Sequence, residues 1–186
     1  VKISDIIAAA QEEPARFRAW LAFILKWECN LAADGEIRLE QLGDGAGVTL
    51  AGLESRDDGL IGNPTPQWIV NTYREKYWKA SKADQLPAPV GEIVGNYWVN
   101  IGGRYATTLL QRALNLNGLL PLDAIDGILG DKTLQGAWQS QNTKELGMTI
   151  IAKGDSYYQA IAIGGREKWL QGWLNRNQSL RETWCS

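Results

Sequence analysis

No histidine occurs anywhere in the chain. That absence excludes Ser-His-Asp and Cys-His hydrolases, and with them every zinc site built on imidazole. Cysteine is almost as scarce: Cys29 and Cys185 stand near opposite ends. Sequence does not supply the geometry of a disulfide, so two free thiols are the favoured expectation and a pairing is the alternative. Neither sign of charge dominates, with 19 basic and 21 acidic residues and a formal net charge of −2. The Lys and Arg residues are scattered, mostly beside acids. Without a basic stripe to meet phosphate, no nucleic-acid partner is expected. Long apolar runs are also missing. Leu21–Leu25 is among the longest, and it is far too short to span a bilayer. No basic start followed by an apolar stretch and a small-residue cleavage site is visible. Export then needs a route that the sequence does not show, or a leader already removed.

What remains for chemistry is carboxylates, hydroxyls, amides and aromatic faces. Apolar residues make up 45% and charged residues 22% of the 186, an ordinary globular balance that allows one core, or one core plus a small lobe. Nine Trp and six Tyr are many for this length. Flat rings with one polar edge suit cores and sugar-lined clefts alike.

The chain reads as helices joined by Gly-rich loops, with no sustained alternation that would mark a large sheet. Helices are expected over residues 3–11, from Pro14 to about Trp27, and over 66–79, 88–101, 103–116, 131–145, 148–163 and 165–175. Between Cys29 and Pro66 lies an irregular stretch rich in glycine. Its only strand-like pieces, Ile37–Leu39 and Val48–Leu53, predict a small β-hairpin or irregular loop near residues 35–55. Connections this long inside a compact domain are usually functional. The change at Gly102-Gly103 is the expected boundary between residues 1–101 and 102–186, packed as one compact body, with a tight turn inside one helical body as the alternative. There is no internal repeat.

One carboxylate stands out. Phe17, Trp20, Leu21 and Ile24 follow the three-and-four spacing of a buried stripe, and Glu28 continues that face at the C-terminal end of the same helix. Burial and the negative end of the helix dipole both disfavour its charged form, which suits a general acid. The plainer alternatives are an acid bonded to a distant Arg, or one swung into solvent by a fraying helix end.

Around this acid the sequence becomes recognisable. Lys26-Trp27-Glu28-Cys29-Asn30-Leu31 is followed by Asp44-Gly45-Ala46-Gly47-Val48-Thr49-Leu50-Ala51-Gly52-Leu53. Further on come Tyr77-Trp78, Gln85-Leu86-Pro87, Val99-Asn100-Ile101-Gly102, Leu110-Gln111-Arg112-Ala113-Leu114, Asp126-Gly127-Ile128-Leu129-Gly130-Asp131-Lys132-Thr133 and Gly172-Trp173-Leu174-Asn175-Arg176. In this order they resemble the landmarks of the N-acetylmuramidases of glycoside hydrolase family 108, a group that includes secretion activator proteins and phage endolysins. Each motif alone is weak; the series, spanning about residues 17 to 176, is specific. Two departures stand against the pattern. Cys29-Asn30-Leu31 replaces the Gly-Gly-Tyr that follows the family's catalytic Glu. Fifteen residues also separate Glu28 from Asp44, a longer gap than the family's, which implies an insertion around Gly35–Gly43 and leaves Asp34 a competitor for the second carboxylate.

The resemblance implies a mainly α, lysozyme-like helical bundle: a catalytic part over 1–101 and a peptidoglycan-binding-like part over 102–186. It implies cleavage of the β-1,4 bond between N-acetylmuramic acid and N-acetylglucosamine. Glu28 would protonate the glycosidic oxygen, Asp44 would activate water or steady the oxocarbenium-like transition state, and Thr49 would hold the water. The separation of the two carboxyl groups decides the stereochemistry, with inversion the leaning. Tyr97, Trp98 and Asn100, with Gln111, are the expected substrate contacts; packing, helix capping and a helix-face position are their plainer roles. Asp126–Thr133 equally reads as a tight turn on Gly127 and Gly130, with Asp131 capping the next helix. No metal or organic cofactor is implied. The partner is the glycan strand of peptidoglycan, and the location a bacterial cell envelope or periplasm, or release from the cytoplasm by a holin-like route. Two other classes remain open: a non-catalytic envelope protein that binds glycan or assists secretion, and a helical adaptor whose aromatics anchor another protein.

Overall fold

The computed structural model describes residues 1–29, 36–38, 40–41, 48–54 and 57–186. The fold is mainly α, with eight α-helices and one small antiparallel sheet among the described residues. Contacts divide the chain into two compact units, Val1–Trp78 and Lys79–Ser186.

The first unit is built on α2 (Ala15–Glu28), preceded by α1 (Ile3–Ala9). Pro14 stands just before the first turn of α2, where its fixed φ suits helix entry and a missing N–H costs nothing. The apolar stripe of α2 is buried, and it is wider than the simple spacing suggests: Phe23 and Leu25 join Phe17, Trp20, Leu21 and Ile24. Helix α3 (Pro66–Thr72) packs on α1, and the π-helical turns Tyr73–Lys79 that continue it bring Tyr73 and Trp78 against the stripe. The Thr65 side chain accepts from the Trp68 amide, and Pro66 fills the first turn, so this helix start is written in the sequence. The aromatic contacts are close: Trp20 lies 5.3 Å from Trp78 and 6.1 Å from Tyr73, and Phe17 lies 5.9 Å from both Trp20 and Trp78. Aromatic rings at these separations bury large area and add edge-to-face attraction.

The strand region falls where the glycine-rich stretch predicted it, with different pieces. β1 (Glu40–Gln41), β2 (Val48–Leu50) and β3 (Leu53–Glu54) form an antiparallel sheet in that order. Val48–Leu53 is therefore not one strand but two, joined by Ala51-Gly52 with Leu50 opposite Leu53. Both turn residues have positive φ, 54° and 76°, as a two-residue type I′ hairpin requires. Glycine adopts this freely; alanine does so at a cost. The turn is held from outside by the buried Tyr73 hydroxyl, which donates to the Ala51 carbonyl at 2.5 Å. Ile37 is buried, its amide bonded to the Val1 carbonyl.

The second unit wraps α4 (Val90–Ile101) with α5 (Gly103–Leu116), α7 (Thr143–Ile161) and α8 (Glu167–Trp184), while α6 (Asp131–Gln139) packs on α5. Every residue of α4 from Val90 to Tyr97 is buried, as befits a helix enclosed on all sides. Gly102-Gly103 joins α4 to α5 inside this unit. The helix expected over 131–145 is two helices. Asn142 accepts from the Glu145 amide at 3.1 Å and starts α7 afresh. Helix α8 runs on to Trp184, well past the expected end at 175.

Candidate functional site

Glu28 is the last residue of α2 and is half-buried. The hairpin turn closes on it: a Cβ at Gly52 would stand 2.8 Å from the Glu28 Cβ and 2.9 Å from its Oε2. Only a residue without a side chain lets the turn approach so closely. On the same hairpin, Thr49 lies opposite Glu54 and donates its hydroxyl to the Leu53 carbonyl at 3.1 Å. Asp58, nearly buried, accepts from the Glu54 amide and from the Tyr77 hydroxyl, both at 2.9 Å, with the Lys76 ammonium 3.8 Å away. Burial, then Asp58, and more weakly Glu28 and Glu54, push the Tyr77 phenol up. It therefore stays a proton donor within this acidic neighbourhood. Cys29 is pushed up to about 12, by burial and then by Glu28. A thiol so raised is no nucleophile at neutral pH. Cys29 and Cys185 are both free, and burial raises Cys185 as well.

Asp44 and its competitor Asp34 lie outside the described residues. The remaining expected contacts belong to the second unit. Tyr97 is wholly buried; its ring lies 6.4 Å from Tyr158 and its hydroxyl donates to Asn177 Oδ1 at 2.8 Å. Asn100, half-buried, donates to the Tyr158 hydroxyl. Trp98 folds over Gly103, where an added Cβ would fall 2.4 Å from its ring. It also walls a surface pocket of about 480 Å³ with Arg104, Asp126 and Ile128. Gln111 is buried. Its amide nitrogen donates to Asp126 Oδ1, the Ile128 carbonyl and the Thr133 hydroxyl, while its oxygen accepts from the Asp126 and Gly127 amides. The structure thus brings Glu28 to the Thr49 hairpin, and gathers Tyr97 and Asn100 at Tyr158. Gln111 it sets beneath the Asp126–Thr133 turn as a clamp.

That turn needs Gly127, whose φ is +76°. Gly130 rather than Asp131 occupies the capping position of α6, and Asp131 is its first helical residue. The hydrogen bond from Gln111, then that from the Ile128 amide, holds the Asp126 carboxyl below its ordinary range. A depressed carboxylate stabilises the fold above its unfolded pKa, and that contribution fades as pH falls through the folded value. Gln111→Ala should accordingly raise the Asp126 pKa toward its ordinary range and shrink this contribution, the pKa being read by carboxyl NMR titration.

The site residues that sequence reasoning did not assign are Gly52, as the contact of Glu28, and Asp58, as the anchor of Tyr77 and β3. Gly52 belongs to a recognised motif, but nothing in the motif says what it touches. Asp58 lies in no motif. Gly52→Ala should destabilise the protein by about 2 kcal/mol, through the positive φ and the crowding of Glu28. Gly59→Ala, at φ +73° with open space around its Cβ, should show only the conformational part. Paired thermal melts check the difference; equal losses would mean that Gly52 does not crowd Glu28. Among the described residues, no cluster of three or more cysteine or carboxylate groups suited to a metal ion occurs.

A family profile described as "Predicted Peptidoglycan domain" matches residues 105–178, the stretch from α5 into α8. Among solved structures the chain is similar to SagA from Brucella abortus, with a TM-score of 0.69 and 19% identity over 89% of this chain and 91% of that one. Identity at that level speaks for a shared fold. No curated protein matches the chain.

Proposed function

We propose that the protein is a peptidoglycan hydrolase, an N-acetylmuramidase that works by carboxylate acid/base catalysis at the cell wall. The observation that carries this reading is the seating of Glu28. A carboxyl group ends an otherwise apolar helix face, and a glycine hairpin closes directly upon it. The profile match over residues 105–178 supports peptidoglycan as the partner. The ordered series of muramidase-like motifs supports the reaction.

In this reading Glu28 protonates the oxygen of the β-1,4 bond between N-acetylmuramic acid and N-acetylglucosamine. Asp44 is the second carboxylate, activating water or steadying the oxocarbenium-like transition state. Thr49 already donates its proton to Leu53, so its oxygen would hold the water by accepting from it. Trp98 offers a flat wall for a sugar face. A second reading, a wall-binding or secretion-assisting protein without turnover, draws on Cys29-Asn30-Leu31 in place of the family's Gly-Gly-Tyr.

The test is turbidity loss of purified sacculi from several peptidoglycan types, with mass analysis of the released fragments. Muropeptides ending in reducing N-acetylmuramic acid are expected. Binding without release on every type would overturn the hydrolase reading in favour of the second.

A further inference from the structure

Five aromatic rings from three helices of the second unit form a continuous row. Tyr105 on α5 lies 5.5 Å from Tyr157 on α7, which lies 5.7 Å from Tyr158. Tyr158 stacks on Trp173 of α8 at 5.1 Å and 21°, and Trp173 lies 6.3 Å from Trp169 one turn earlier. Tyr158 is buried and braces the row from behind, with Tyr97 and Asn100 behind it in turn. The two ends are open: Tyr105 is 55% and Trp169 51% exposed. A single exposed ring on a surface is ordinary, whereas a connected, rigidly backed set is a recognition feature.

Two further observations bear on the same face. Gly172 sits in the interior of α8 between the two tryptophans, and a Cβ there would meet nothing within 4 Å. Packing does not require this glycine, although it costs helix stability. The row is also flanked by cations. The Lys168 ammonium lies 4.6 Å from the Trp169 ring. Arg166 is near enough to Tyr157 to oppose the rise in that phenol caused by burial and Tyr105. Both basic residues are exposed, and the intervening Glu167 bonds the Gly165 amide. In a chain of net charge −2 this local sign is not a by-product of overall composition.

We propose that Tyr105, Tyr157, Trp173 and Trp169, with Arg166 and Lys168, form a binding platform for a carboxylate-bearing glycan, built wholly from residues of the second unit. Sugar rings would lie on the aromatic faces, and carboxylates of the glycan or of its attached peptides would meet the two cations. Identifying that glycan as peptidoglycan rests on the function proposed above; the aromatic and basic chemistry of the platform does not. The buried Tyr158 fixes the rings before any ligand arrives, which lowers the ordering cost of binding.

The experiment is co-sedimentation of the full chain with purified sacculi at low and high salt, with muropeptide release measured on the same samples. The variants are Tyr105→Ala/Trp169→Ala and Arg166→Glu/Lys168→Glu, in which every replaced residue is exposed; thermal melts check that both fold. Each pair is expected to weaken sedimentation by on the order of tenfold, and the charge-reversed pair to lose the salt sensitivity of the wild type. Wild-type binding by the ring variant overturns the platform, as does absence of binding by the wild type itself. A wild-type dimer that the ring variant dissolves in analytical ultracentrifugation overturns it too, by making this face a contact between copies. Ring-dependent sedimentation without muropeptide release would keep the platform and remove the hydrolase. Release with ring-independent sedimentation would do the reverse.

Discussion

Glu28→Gln is expected to slow muropeptide release by roughly 10²–10⁴-fold, the usual weight of a positioned general acid, while sacculus binding and thermal stability stay near those of the wild type. The amide has nearly the same shape as the acid, so it can fill the same space against Gly52, where Cβ and Oε2 of Glu28 both lie within 3 Å of an added Cβ. It cannot deliver a proton to a leaving oxygen. Loss in kcat with little change in KM is the signature of an interaction made in the transition state. Release at the wild-type rate by Glu28→Gln would remove Glu28 from the chemistry, whatever the fate of the muramidase reading. Asp44→Ala should also lose turnover far more than binding. Asp34→Ala, with the competing carboxylate removed, should not.

The value of Glu28 as a marker came from periodicity, and that part of the fold was legible because helix faces repeat. Phe17, Trp20, Leu21 and Ile24 are buried as the stripe predicted. Helix α5 runs from Gly103 to Leu116 as expected, bounded in front by Gly102 at φ +81°. Less legible was whatever depends on a distant partner. Ala51 carries no turn signal, yet it takes φ 54° because the Tyr73 hydroxyl, 22 residues away, holds its carbonyl. Val48–Leu53 therefore looked like one strand. The break before α7 was present in the sequence, as Asn142 followed three residues later by Glu145, the spacing of a capping box. The apolar residues beyond it masked that signal.

The candidate contacts divide along the same line. Gln111 stands on the buried face of α5, and its type alone is compatible with sugar recognition or with a structural clamp. Its bonds to a loop 15 to 22 residues further on are set by tertiary structure. Tyr97 is similar: neighbouring motifs made it a cleft aromatic in sequence, while the structure encloses it between Asn177 and Tyr158. A residue's type limits what it can do, and its neighbours choose among those options.

The enclosure of Tyr97 yields the second large effect. Gly154→Ala in the middle of α7 should destabilise the protein by about 3 kcal/mol, although alanine is by about 1 kcal/mol the better helix former. A Cβ at position 154 would fall 2.1 Å from the Tyr97 hydroxyl oxygen and 2.6 Å from Cζ. The ring has little room to retreat. Tyr97 is fully buried, and its hydroxyl is bonded to Asn177 Oδ1, whose amide donates to Asp155 at 2.7 Å, with Arg181 paired to the same Asp155. Moving the hydroxyl therefore leaves a buried acceptor without its donor, a cost beyond simple overpacking. The double variant distinguishes this from a general intolerance of helix α7. Tyr97→Phe removes the atom that the new methyl meets first, so Gly154→Ala/Tyr97→Phe should lose clearly less stability than the sum of the two single changes. Denaturant melts of the four proteins measure the coupling. Additive losses would show that the ring carbons, which the phenylalanine keeps, and not the hydroxyl, carry the cost of the new methyl.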